Sequence, residues 1–224
     1  MNYNVDYTLY LVTNRELALP LSVEEAVEQA IRGGVTLVQL RDKKAGSREL
    51  FQAALALKKI TDRYSIPLII NDRADIMLAS GAAGVHVGQS DLPAGEVRRI
   101  IGLDKILGVS AATVEEAIAA EKAGADYLGV GAMFPTSTKK DTRHPSVDTL
   151  HQICCAVSIP VVAIGGINSG NAALLGKSGI AGAAVVSAIL AGGHPEEAAA
   201  GLKAKIRNIL QETGKSKDHC LTER

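Results

Sequence analysis

Apolar residues in this chain come in two alternating textures. Short runs that are β-branched or aliphatic almost throughout occur at "YTLYLVT" (7–13), "TLVQLRD" (36–42), "PLIIND" (67–72), "GVHVGQ" (84–89), "KILGVS" (105–110), "YLGVGA" (127–132), "PVVAIGG" (160–166) and "GAAVVSAI" (182–189). Their length and bounding turn residues predict eight strands. Between them lie longer segments of helical period, such as "SVEEAVEQAIRGG", "SRELFQAALALKKITDRY", "TVEEAIAAEKAGA" and "PEEAAAGLKAKIRNILQ". Ser22 is a predicted N-cap ahead of Glu24 and Glu25, and Gly33 a stop. The reading is eight strand-helix units.

Strands that are apolar on both faces must be covered on both faces, and regular βα alternation implies parallel pairing with right-handed crossovers. Eight such units in 224 residues fit an α/β fold, a single (β/α)8 barrel of the TIM type, over residues 1–213. A doubly wound open sheet is the competing architecture, and no G-x-G-x-x-G follows the first strand to support it. Residues 214–224, "GKSKDHCLTER" from Gly214 on, read as a polar, disordered tail.

Composition narrows the function. Lys+Arg and Asp+Glu are balanced at 24 each and the basic residues are dispersed, while aromatics are 3% and Trp is absent. Neither a polyanion surface nor a base-stacking platform is expected, so no nucleic-acid partner is. The uncharged stretch 153–176 is long enough for a membrane, but Pro160, Gly165, Gly166 and Asn168 divide it, so no membrane partner is expected either. The N-terminus has no signal-peptide pattern, and Cys154, Cys155 and Cys220 lack metal or disulfide-framework spacing. Reduced thiols and a cytoplasmic location are the expectation. A homo-oligomer stays open.

In such a barrel the active site gathers at the C-terminal ends of the strands. There the sequence places Gln39, Arg41 and Lys43 after strand two, Asn71 and Asp72 after strand three, Gln89 and Asp91 after strand four, and Ser110 after strand five. Strand six opens the loop "GVGAMFPTSTKKDTRHP" (129–145), strand seven ends in Gly165–Gly166, and strand eight runs into Val186–Ser187. Cations beside the paired carboxylates Asp72 and Asp91 fit Mg²⁺ carrying a diphosphate, since this ion takes one or two carboxylates and completes its shell with water and phosphate oxygens. Glycines after strand seven and small residues after strand eight fit a second phosphate. His86, flanked by valines, is read as packed or structurally hydrogen-bonded.

These motifs resemble thiamine-phosphate synthases. "VQLRDK", "INDRADIMLASGAAGVHVGQSD", "LGVSAAT", "ADYLGVGAMFPTSTKKD", "VVAIGGI" and "AAVVSAI" follow that family's order over residues 7–190. The resemblance implies condensation of two small-molecule substrates, 4-amino-2-methyl-5-hydroxymethylpyrimidine diphosphate and 4-methyl-5-(2-hydroxyethyl)thiazole phosphate or its 2-carboxy form, to thiamine phosphate and pyrophosphate. It places Gln39, Leu40, Arg41, Asp42 and Lys43 at the pyrimidine diphosphate together with Asn71. Asp72 and Asp91 would hold Mg²⁺, and Ser110 would face the pyrimidine. Lys139 would reach the departing pyrophosphate, with Arg41, Lys43, Lys139 and Ser110 as the catalytic set. Thr136, Ser137, Thr138, Gly166, Val186 and Ser187 would bind the thiazole phosphate. A thiazole tautomerase-like isomerase would need neither the diphosphate cations nor the carboxylate pair, and a non-catalytic phospholigand-binding barrel would need no reactive set at all.

Overall fold

The computed structural model describes residues 5–136 and 144–220. Eight strands, β1 Leu9–Val12, β2 Leu37–Leu40, β3 Leu68–Asn71, β4 Gly84–Val87, β5 Ile106–Ala111, β6 Tyr127–Val130, β7 Val161–Ile164 and β8 Gly182–Val185, pair in parallel in sequence order and close on themselves between β8 and β1. The predicted (β/α)8 barrel is therefore the fold. Strand ends differ from the predicted runs by up to four residues, mostly because those runs take in the first polar and glycine residues of the loops at the C-terminal mouth of the barrel.

Alternation along each strand divides the side chains between two cores. Leu9, Leu11, Val38, Leu40, Val85, Leu107, Leu128, Val130 and Val185 face outward and pack under the helices. Tyr10, Val12, Leu37, Ile69, Ile106, Tyr127, Val162 and Ala184 face the barrel axis. The register sets His86 beside Gly108 and Gly108 beside Tyr127. That order has a steric reason: a Cβ on Gly108 would come within 2.2 Å of the Tyr127 ring, so two adjacent interior positions share the volume of one large side chain.

Helices α1 Arg15–Ala18, α2 Val23–Arg32, α3 Ser47–Arg63, α4 Ala74–Ser80, α5 Ala94–Ile101, α6 Val114–Lys122, α7 Val147–Ala156, α8 Ser187–Leu190 and α9 Pro195–Cys220 surround the barrel. The predicted N-cap of α2 is a full capping box: Glu25 N–H donates to Ser22 Oγ (3.1 Å) and Ser22 N–H to Glu25 Oε2 (2.9 Å). Thr113 caps α6 by accepting the Glu116 N–H through Oγ1 (3.2 Å). The seventh unit departs from the eight-helix expectation. Between β7 and β8 there is only a 3-10 turn, Ala172–Leu175, and α9 packs against this turn, β8, β1 and α2. Arg32 at the end of α2 pairs with Glu196 at the start of α9 (3.1 Å).

Two further expectations change. The backbone of α9 runs to Cys220, past the boundary at residue 213 where the composition predicted a disordered tail. A helix seated on the core through Ala199, Leu202, Ile206 and Ile209 gains a hydrogen bond with each added residue, so polar residues can prolong it. Residues 221–224 lie outside the described residues. Cys154 is a buried free thiol, whereas Cys155, on the neighbouring face of α7, is disulfide-bonded, which corrects the expectation of reduced thiols at that position. Among the described residues no helix is long and apolar enough to cross a membrane.

Candidate active site

A cavity opens at the C-terminal ends of the strands. It reaches down the axis to Tyr10 and Tyr127, and its wall carries Gln39, Arg41, Asn71, Ser110, Thr136, Gly166, Val186 and Ser187. Eight residues predicted from five strand ends and the loop after strand six thus share one space. Gly166 sits at φ +67°, and a Cβ there would come within 2.6 Å of Pro135 O and 2.7 Å of Phe134 O. Only glycine lets the exit of β7 lie this close to the segment leading to Thr136. Asn168 and Asn171 clamp the same turn by donating from their amide nitrogens to Gly166 O (3.2 and 2.9 Å).

The acidic corner lies beside this cavity. Lys43 Nζ is 3.3 Å from Asp72 Oδ2. Asp91 accepts the Gly88 N–H through Oδ2 (2.7 Å), which turns its carboxylate back toward β4. Burial, and then the negative charge of Asp91 within hydrogen-bond reach, raise the Asp72 carboxyl above the usual aspartate range, while Lys43 acts in the opposite sense. Asp72 also holds φ +62°, a left-handed conformation few non-glycine residues adopt, fixed by its N–H donating to His86 O (2.8 Å). The left-handed backbone and the repulsion between the two carboxylates raise the energy of this corner, and the Lys43 ammonium offsets part of it. Arg73 turns away and pairs with Asp75 (2.6 Å).

Deeper in the cavity runs a chain of side-chain hydrogen bonds. Gln39 Nε2 donates to Tyr10 Oη (2.6 Å), Tyr10 Oη lies 2.8 Å from Tyr127 Oη, Tyr127 Oη lies 3.0 Å from His86 Nδ1, and His86 Nε2 lies 2.9 Å from Ser110 Oγ. Burial raises the pKa of both tyrosines, so they stay neutral hydroxyls. His86 is hydrogen-bonded as expected, but its partners are site residues. The sequence reading missed Tyr10 and Tyr127. Their signal was present in the strict alternation of strands one and six, where each faces the same side as residues already assigned to the rim.

Some predicted site residues lie elsewhere. Leu40 points outward into the helix-facing core, so its side chain does not reach the cavity. Asp42 lines a separate polar groove, where it pairs with Arg15 (3.1 Å) and accepts from the Lys44 and Ala45 N–H groups. Arg41 borders both the cavity and this groove, and Lys43 lines the groove. Ser137, Thr138 and Lys139 lie outside the described residues, as do Lys140 and Arg143. Beyond them, His144 Nδ1 lies 3.0 Å from Ala132 O, which holds the far end of the loop to the cavity wall.

A family profile described as Thiamine monophosphate synthase matches residues 9–189. The chain belongs to this family. A thiamine-phosphate synthase of Ruminiclostridium cellulolyticum is 64% identical over 190 residues, 85% of this chain and 90% of that protein. One of Clostridium tetani is 57% identical over 189 residues, 84% and 90% of the two chains. Among solved structures, a thiamine phosphate pyrophosphorylase from Pyrococcus furiosus superposes with a TM-score of 0.84 at 38% identity, covering 92% of this chain and 98% of its own. The matched span includes every strand and both the cavity and the acidic corner. Synthase names on these relatives do not favour the tautomerase-like or the non-catalytic alternative.

Proposed function

We propose that this chain is a transferase that makes thiamine phosphate, joining 4-amino-2-methyl-5-hydroxymethylpyrimidine diphosphate to 4-methyl-5-(2-hydroxyethyl)thiazole phosphate or its 2-carboxy form, with release of pyrophosphate and, from the 2-carboxy form, of carbon dioxide as well. The observation that carries the reading is the joint arrangement: a cavity walled by Gln39, Arg41, Asn71 and Ser110 on one side and Thr136, Gly166, Val186 and Ser187 on the other, flanked by Lys43, Asp72 and Asp91. Two anionic substrates need two anion sites, and family membership supports the same reaction.

The chemistry asks little of a protein base. The bond between the pyrimidine methylene and the diphosphate oxygen breaks with its electron pair leaving on that oxygen. The ring amino group delocalises the positive charge left on the methylene carbon, and the thiazole nitrogen supplies the pair for the new C–N bond. With the plain thiazole phosphate no proton has to move; with the 2-carboxy form, the electron pair left on C2 by departing carbon dioxide takes up a proton from water. Arg41, Lys43 and, from the sequence resemblance, Lys139 neutralise the departing diphosphate. Thr136, Gly166, Val186 and Ser187, with Ser137 and Thr138 by the same resemblance, hold the thiazole phosphate so that its nitrogen meets the carbon. The closed apolar barrel floor formed by Val12, Val162 and Ala184 keeps out water that would trap the cation.

Asp72 and Asp91 fit a hard divalent cation such as Mg²⁺. Among the described residues no group of three or more His, Cys, Asp or Glu side chains converges, so the pair would leave the remaining positions to water and diphosphate oxygens, as Mg²⁺ prefers. When bound, the ion would add charge to stabilise the leaving group. A cytoplasmic setting belongs to the same proposal, because both substrates are phosphorylated small molecules that do not cross membranes unaided.

The test is pyrophosphate release by the purified protein. It is expected only with both substrates and Mg²⁺ present, in step with thiamine phosphate formation. Release with one substrate, or isomerisation of the thiazole alone, would overturn the reading. Lys139→Ala is expected to lower turnover much more than thiazole phosphate affinity, and turnover within a few-fold of wild type would remove Lys139 from the catalytic set.

A further inference from the structure

The chain Gln39–Tyr10–Tyr127–His86–Ser110 has a direction, and it follows from where each proton can go. Tyr10 Oη accepts from Gln39 Nε2 and has Tyr127 Oη as its second partner, so the Tyr10 proton points to Tyr127. Tyr127 cannot return a proton to an oxygen that already donates to it. Its proton therefore goes to His86 Nδ1. With Nδ1 accepting, the ring proton sits on Nε2 and is donated to Ser110 Oγ. The Ser110 proton then turns away from His86 and into the cavity.

We propose that Tyr127, backed by Tyr10, is a positioning residue that locks His86 in its Nε2–H tautomer and so makes Ser110 a hydrogen-bond donor to a ring nitrogen of the aminopyrimidine. The inference rests on the synthase reading above and deepens it. Two glycines show that the barrel is shaped around this device. A Cβ on Gly108 would overlap the Tyr127 ring, and one on Gly129 would come within 3.0 Å of His86 Cε1. Both interior positions are kept empty of side chain where the two rings lie. The opposite polarity is chemically distinct: with the Gln39 amide oxygen toward Tyr10, every donor would reverse and Ser110 would donate into His86, leaving only lone pairs for the substrate.

Which imidazole nitrogen carries the proton separates the two. Long-range 1H–15N spectra of the full chain labelled at histidine, with the His86 signal assigned by its loss in His86→Gln, are expected to show the Nε2–H tautomer at neutral pH. In Tyr127→Phe, Nδ1 loses its donor, and the signal is expected to shift to a mixture of tautomers. KM for the pyrimidine diphosphate should rise about tenfold, as for one hydrogen bond lost, with KM for thiazole phosphate within about twofold of wild type. Gln39→Glu, which when ionised can only accept from Tyr10, is expected to reverse the polarity and give Nδ1–H at a pH where the new carboxyl is ionised, read from the spectrum alone. An Nδ1–H or evenly mixed signal in the wild type would overturn the proposal. So would a Tyr127→Phe variant whose tautomer matches wild type, whatever its KM, since a structural role alone would then account for any loss. Wild-type protein that forms no thiamine phosphate would sink the synthase reading, while the spectra still judge the polarity.

Discussion

Gly108→Ala puts one methyl group where the fold has no room for it. The added Cβ would stand 2.2 Å from Tyr127 Cζ and 2.4 Å from both Cε1 and Oη, well inside contact distance. Tyr127 is fully buried, so its ring cannot swing into solvent. It must shift against Tyr7 and Tyr10, whose ring centroids lie 5.0 and 6.0 Å away. Overpacking of a tight core costs about 1–3 kcal/mol, and displacing the hydroxyl breaks its contacts with Tyr10 and His86, at about 1 kcal/mol each. The expected loss is about 3–5 kcal/mol, a large part of the total stability of roughly 5–15 kcal/mol usual for a domain. Urea unfolding measures it, with an unchanged m value showing that the unfolded state is not the cause. In Gly108→Ala/Tyr127→Leu the shorter side chain should restore part of the loss. A single variant less than about 1 kcal/mol below wild type would refute the reasoning, because it would mean that the interior can yield at this level.

Asp72→Asn tests the acidic corner in two directions. The raised pKa means that the folded chain holds this proton more tightly than the unfolded one, so the contribution to stability is fully present below the ordinary aspartate range and fades as pH rises through the raised value. The uncharged amide is therefore expected to hold or raise the melting temperature of the ligand-free protein at pH 7 while lowering turnover by about 100-fold or more; a clear drop in melting temperature would contradict the assigned direction. In the wild type, the apparent affinity for Mg²⁺ should fall as pH is lowered and begin to do so above the ordinary aspartate range, and a flat profile down to that range would speak against Asp72 as a ligand. Arg98→Ala concerns the opposite end of the barrel. Its largely buried guanidinium donates to Gly102 O, Lys105 O and Gly124 O and pairs with Asp126 at 2.6 Å, so unfolding experiments should show a loss of about 2–4 kcal/mol with both KM values unchanged.

Strand count, order and closure were legible because each strand is a short aliphatic run and parallel pairing leaves few topologies. The rim was legible because polar residues at strand ends stand out against those runs. Tyr10 and Tyr127 were less visible, since an aromatic inside an apolar run has the pattern of core, and only the inward alternation distinguishes its face. The direction of the Leu40 side chain was hidden for the converse reason: it sits between Gln39 and Arg41 in sequence, but a period of two sends it to the other side of the sheet. The missing seventh helix could not be read from "NSGNAALLGKSG", because four apolar residues among glycines and asparagines give neither the length nor the caps that separate a helix from a turn. The pairing of Asp72 with Lys43 joins two strand ends far apart in the chain, and the register between strands brings them together.

Closure between β1 and β8 sets a timetable for synthesis. Tyr10 and Leu11 take their second set of partners from Ala184 and Val185, so one edge of the nascent sheet stays open until almost the whole barrel has left the ribosome. At about 5–20 residues per second this interval is on the order of 10–35 s. Through all of it β1 presents unpaired backbone groups of the kind that recruits other strands. The emerging polypeptide is thus most exposed to aggregation at its oldest segment, and protection there, by a chaperone or by slow initiation, should raise the yield of folded protein more than any change near the C-terminus.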